Sequence, residues 1–104
     1  MNRPAPYAIE VTDEADEHLA GLKAHDRAKV LDSLEPRLAF EPRLETRNRK
    51  RLRPNPVAPW ELRLGNLRVY FDVDEEPKRV VKVLAVGVKL RDTVRIGGRV
   101  VELK

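Results

Sequence analysis

Tyr7, Ile9 and Val11 alternate with Ala8 and Glu10, the period of a strand with one face buried. Thr12 follows as a helix N-cap, and Asp13, Glu14, Asp16 and Glu17 crowd the first turn, where the helix dipole favours negative charge. With Ala15, Leu19 and Leu22 on one side, the pattern predicts a short amphipathic helix ending near Lys23–His25. Asp26 offers a cap to a second helix, in which Val30, Leu31, Leu34 and Leu38 recur at helical spacing. Pro36 lacks a backbone donor and its ring meets the carbonyl of Asp32, so a kink or restart is expected near Leu34–Pro36.

From Phe40 to Pro59 the chain is rich in Pro and Arg without a period of its own, and is expected to be a long functional connector. The strongest local signal follows. Trp60-Glu61-Leu62-Arg63-Leu64 and Leu67-Arg68-Val69-Tyr70-Phe71-Asp72-Val73 flank Gly65-Asn66, two alternating runs around a hairpin turn. After a turn over Asp74–Lys78, the nearly continuous apolar run from Arg79 to Val86 predicts a central antiparallel strand ended by Gly87. Gly97-Gly98 makes a turn before Val100, Val101 and Leu103, leaving room for one short C-terminal strand. The order β-α-α-β-β-β implies an α+β fold, a helical hairpin packed on one face of an antiparallel sheet. Over 104 residues it reads as one domain, 1–104.

The two-residue turn also fixes register: Leu64 faces Leu67, Arg63 faces Arg68, Leu62 faces Val69, Glu61 faces Tyr70 and Trp60 faces Phe71. One side of the hairpin is then apolar, with Trp60 a core anchor accompanied by Phe40 and Phe71. The other carries Glu61, Arg63, Arg68, Tyr70 and Asp72, with two arginines opposed, a placement that opposes the fold by a few tenths to about 1 kcal/mol. Glu61 lies diagonally from Arg68, whereas Arg63 has no cross-strand carboxylate and is expected to be an open anion site. Arginines leaning into solvent are the alternative. Such a surface suits metal-free RNA cleavage. The 2′-hydroxyl must lose a proton, the phosphorane must meet positive charge, and the leaving oxygen must gain a proton. Arg63 and Arg68 would clamp the phosphate, Glu61 or Lys50 would take the proton, and Tyr70 would orient or donate.

Charge sharpens this picture. Residues 1–41 hold five Lys/Arg against nine Asp/Glu, residues 42–53 six against one, and residues 54–104 ten against seven. A local basic patch of this kind points to a polyanion, since phosphate neutralisation dominates nucleic-acid affinity. A solvated Arg-rich loop is the bland alternative. No cysteine is present, the two histidines His18 and His25 are isolated and expected at the surface, and neither a metal site nor a cofactor motif is visible. Without an apolar leader or a long uncharged stretch, a cytoplasmic protein that avoids membranes is expected.

The hairpin A-P-W-E-L-R-L-G-N-L-R-V-Y-F-D-V-D-E and the segment V-L-A-V-G-V-K-L-R, behind a strand, helical hairpin and basic loop, resemble the RelE/ParE superfamily of toxins over nearly the whole chain. That superfamily joins RelE and HigB messenger-RNA interferases with ParE-type gyrase poisons. The resemblance implies a toxin of a type II toxin–antitoxin module, neutralised by a cognate antitoxin. In the RelE branch it implies metal-independent endoribonuclease cleavage of mRNA on the ribosome, which stops translation; a ParE-like inhibitor of DNA gyrase and a weakened antitoxin-binding homologue are the alternatives. By position Arg68 matches a phosphate-binding arginine of the family, Arg63 stands where RelE has a lysine, and Lys89 lies near the basic residue after V-G. Glu61 replaces another lysine, and Arg95 falls near the family's catalytic tyrosine. Arg63, Arg68, Lys89 and Glu61 are therefore the catalytic candidates, and Arg47, Arg49, Lys50, Arg51, Arg53, Arg91 and Arg95 the RNA-binding ones.

Overall fold

The computed structural model describes residues 5–102. Strand β1 (Ala8–Val11) leads into α1 (Asp13–Ala20) and α2 (Ala24–Leu38); β2 (Arg49–Arg51), β3 (Trp60–Leu64), β4 (Leu67–Asp74), β5 (Val80–Lys89), β6 (Val94–Ile96) and β7 (Arg99–Val101) follow. The strands from β2 to β7 neighbour one another in chain order and are antiparallel, and β1 lies parallel to β5. This is the expected α+β arrangement, with β2 and β6 added to the strands read from the sequence.

The hairpin register is the one its two-residue turn dictates, from Leu64 opposite Leu67 to Trp60 opposite Phe71. Gly65 takes a φ of +62° at the first turn position, a conformation that side chains resist. The alternation then sends Trp60, Leu62, Leu64, Leu67, Val69 and Phe71 to one face, where they pack with Leu19, Val30, Leu34 and Leu38 of the helices. Each such buried side chain contributes roughly 1.5–3 kcal/mol. Trp60 and Phe71 stack with centroids 6.0 Å apart. In β5 the pairing with β4 slips between Tyr70 and Phe71, so that Leu84 has no partner. Because one extra residue reverses the alternation, Val81 and Val83 before it and Val86 after it all reach the helical core, while Ala85 faces the other way.

β5 shares one edge between two strands. β1 pairs with Val80–Val83 and β6 with Gly87–Lys89. The junction is closed by side chains: Thr12 caps α1 by accepting from Ala15 N at 3.2 Å and donates its hydroxyl to Val83 O at 3.0 Å, and His18 Nδ1 accepts from Val86 N at 3.3 Å. His18 is thus half-buried and bonded, not a free surface residue; His25 is exposed, as expected.

Several boundaries differ from the pattern-based reading. α1 ends at Ala20 because Arg27 reaches back to its last turn and to Leu22 O, donating to Leu19 O at 3.1 Å and Leu22 O at 3.0 Å. α2 starts at Ala24 with Lys23 as an N-cap that makes no side-chain bond, so Asp26 sits inside the first turn and is not the cap. Pro36 neither breaks nor restarts α2, which ends two residues later at Leu38; the bond it cannot make falls in the exposed last turn. The connector is not structureless, since β2 pairs with β3. Gly87 does not end β5: its missing side chain lets β6 approach, and a Cβ there would lie 2.7 Å from Arg95 O. Phe40 is no core anchor, being 52% exposed. The Gly97-Gly98 turn does precede a short strand, β7, while Leu103 lies outside the described residues.

Candidate functional site

The sheet face away from the helices carries the polar half of the hairpin. Glu61 and Arg63 of β3, Arg68 of β4 and Lys89 of β5 line one cleft of about 210 Å³, joined by Leu52 and Asp92. All four catalytic candidates therefore meet in one place. Arg63 and Arg68 stand opposite each other in the register.

The ion pairing differs from the expected one. Glu61 does not reach diagonally to Arg68; Arg63 Nε donates to Glu61 Oε1 at 3.0 Å, so Arg63 is not an open anion site. Residues two apart on a strand share a face, and the long arginine spans that step. Arg68 turns along its own hairpin, with Nη1 donating to Gly65 O at 2.7 Å and to Leu67 O at 2.9 Å. Lys89 Nζ donates to Arg91 O at 3.1 Å. Among the described residues neither Arg68 nor Lys89 has a carboxylate partner. The cleft thus holds one arginine bonded to a carboxylate and two cations, Arg68 and Lys89, that form no ion pair, with Asp92 the other carboxylate of its lining.

Tyr70 lies beneath this cleft and is fully buried. Its hydroxyl has no hydrogen-bond partner among the described residues. Burial first, and the nearby Glu61 charge second, push the phenol far above its ordinary range, so Tyr70 stays protonated and out of reach of a substrate. It is too buried to donate to a substrate directly, and it lies beside the Glu61 carboxylate.

A second device was missed by the sequence reading. Asn55 Oδ1 accepts from Val57 N at 2.8 Å and Ala58 N at 3.1 Å, and its Nδ2 donates to Arg53 O and Ala58 O. Local backbone bonding of this kind is what asparagine does in turns, and Pro54-Asn55-Pro56 was its signal. The clamp folds the connector across the sheet, where Leu52, Val57 and Ala58 pack with Tyr70 and Ala85 and Leu52 becomes a wall of the cleft.

The RNA-binding candidates separate by strand parity. Lys50 pairs with Glu61 and is exposed on the cleft's face. Arg51 pairs with Trp60 on the other face and holds its guanidinium 5.6 Å from that ring. Arg47, Arg53 and Arg91 are exposed in loops. Arg49 is a correction: it is 7% exposed, and its guanidinium donates to Leu44 O at 2.8 Å and also to Arg37 O at the end of α2. Burial lowers its pKa. It braces the connector against the end of α2. Arg95 is exposed; it pairs with Val88, which packs on the helical core, and so lies on the face away from the cleft. No group of three or more potential metal-ligating side chains occurs among the described residues.

Neither a family model nor a curated protein matches this sequence. A solved structure does: the toxin–antitoxin complex RelBE2 from Mycobacterium tuberculosis contains a chain that superimposes with a TM-score of 0.70 at 26% identity, covering 86% of this chain and 98% of that one. The chain has the fold of a RelE-like toxin. The cleft described above therefore lies on a RelE-like fold. No described helix is long and apolar enough to cross a membrane.

Proposed function

We propose that this chain is the toxin of a type II toxin–antitoxin module and that it cuts messenger RNA on the ribosome without a metal, using the cleft formed by Glu61, Arg63, Arg68 and Lys89. The observation carrying this reading is the pair of cations, Arg68 and Lys89, left without carboxylate partners beside a buried carboxylate. Glu61 takes the proton of a 2′-hydroxyl, and that oxygen forms a bond to the adjacent phosphorus. Arg68 and Lys89 face the charge that builds on the phosphorane, where preorganised donors act most strongly. The bond to the 5′ oxygen breaks, leaving a cyclic phosphate, and the departing oxygen takes a proton from the Lys89 ammonium to become a 5′-hydroxyl. An antitoxin segment laid over the same cations would silence them, and that complex should weaken as salt rises.

Induction without antitoxin, followed by primer extension on several transcripts, tests the reading. Cleavage of translated messages that persists with chelator present is the expected result. Intact messages with an early halt of replication would replace it with gyrase inhibition. Unimpaired growth would leave a homologue that binds its antitoxin and poisons nothing.

A further inference from the structure

A second groove, of about 340 Å³, opens on the helical side of the sheet between the end of α2 and the turn leading into β2. Its lining includes Arg37, Phe40, Thr46, Arg47 and Asn48, and no carboxylate. Arg49 builds it, tying Arg37 O at the helix end to Leu44 O in the following loop through one buried guanidinium. Folding does not account for what lines it. Phe40 is 52% exposed, Arg37 and Arg47 are exposed and form no ion pair among the described residues, and the Asn48 amide makes no side-chain hydrogen bond among them either. An open aromatic ring, two unbalanced guanidiniums and an amide with free donors and acceptor are the groups that hold a nucleotide: stacking for the base, charge for the phosphate, paired polar atoms for a base edge.

The groove is physically joined to the cleft. Asn48 O accepts from Arg63 N at 2.7 Å, so the turn bearing Arg47 and Asn48 borders the strand that carries Glu61 and Arg63. A strand of RNA leaving the cleft would reach the groove by passing this turn at the edge of the sheet.

The geometry points to a second nucleotide subsite, in which Phe40 stacks a base of single-stranded RNA that flanks the cleaved phosphate while Arg37 and Arg47 hold its backbone. This rests on the proposed cleavage of RNA and extends it, setting a minimum substrate length. An acidic protein segment would satisfy the arginines but would leave the exposed ring and the amide without a specific role.

Fluorescence anisotropy with the purified chain tests it, using a labelled dinucleotide that fills the cleft alone and a hexanucleotide long enough to pass the turn. Phe40→Ala should weaken hexanucleotide binding by about five- to a hundredfold, the range for one stacked base, and leave dinucleotide binding unchanged. Phe40→Trp should retain or improve it, and Arg47→Ala should lower the salt dependence by about one unit of slope. Equal affinity of the parent and Phe40→Ala chains for the hexanucleotide would overturn the subsite, as would a Phe40→Ala chain that loses antitoxin binding but keeps RNA. Primer extension separates the two failures. Message cleavage by Phe40→Ala at unchanged sites and rate refutes the groove while sparing the cleavage reading; Phe40-dependent RNA binding by a parent that cuts nothing refutes the cleavage reading while sparing the groove.

Discussion

Replacing Arg68 with alanine separates chemistry from folding at the centre of the cleft. Arg68 is 9% exposed and donates Nη1 to Gly65 O and Leu67 O, both within its own hairpin. Hydrogen bonds from a charged donor contribute about 1.5–3 kcal/mol where the acceptor would otherwise stay dry, but Gly65 is exposed and its carbonyl can be rehydrated. Against that loss stands the relief of the opposed Arg63, a few tenths to about 1 kcal/mol. The two effects nearly cancel, and the expected destabilisation is about 0–2 kcal/mol. For a domain of this size that is a fall in Tm of at most roughly 10–15 °C. Cleavage should suffer far more. Loss of one donor to a developing oxyanion costs about 10²–10³ in rate, and Arg68→Lys, which keeps the charge without the forked donors, should recover only part of it. Thermal melts and single-turnover cleavage on ribosomes measure both sides. A variant that still cuts at the parent rate, or one that loses several kcal/mol of stability, would refute the reasoning and make Arg68 a structural residue.

Glu61→Gln removes the carboxylate that neutralises Arg63, so RNA affinity should rise with a steeper salt dependence while cleavage falls; filter binding across a salt series and single-turnover rates check the two opposite signs. Tyr70→Phe should leave cleavage within about twofold and stability equal or slightly higher, because the hydroxyl it deletes is buried and unpaired; a large rate loss would return the phenol to the mechanism. His18→Ala leaves the Val86 amide without its acceptor and should cost about 1–3 kcal/mol in urea denaturation, with His18→Asn recovering part. Arg49→Ala removes the brace between Leu44 O and Arg37 O and should cost about 2–4 kcal/mol, whereas Arg47→Ala, on an exposed neighbour, should be nearly neutral.

The hairpin register was legible because a two-residue turn and strict alternation leave one solution, and everything that follows from parity followed with it: the apolar face, the opposed arginines, the burial of Trp60. Where contacts are long-range, the pattern carried no such information. Gly87 reads as a strand end because glycine is a breaker; only the approach of β6 gives its missing side chain a purpose within the strand. Arg49 and Lys50 are indistinguishable as letters in a basic run, yet pairing with β3 sends them to opposite faces, one into a brace and the other toward Glu61. His18 lacks any sequence neighbour to bond, and its partner is created by the gap between β1 and β6 on the edge of β5. The same limit applied to Glu61, which was assigned by cross-strand diagonal to Arg68 but bonds along its own strand to Arg63.

The proton balance of the cleft follows from these placements. With Tyr70 sealed and Arg95 on the far face, no phenol reaches the reacting atoms, and an arginine does not release its proton in a protein. The groups on this face able to move protons include the carboxylates of Glu61 and Asp92 and the ammonium groups of Lys89 and Lys50. Glu61 is bonded to Arg63 at 3.0 Å, so in the proposed cleavage the same arginine holds the base in place and stands beside the phosphate. Under the proposed cleavage, uptake of the 2′-proton would cancel the Glu61 charge and free Arg63 as negative charge grows on the phosphorane. On that proposal the Glu61–Arg63 pair of the resting protein would deliver a third cation in step with the chemistry, an interaction stronger in the transition state than in the ground state, which is the condition for accelerating a reaction.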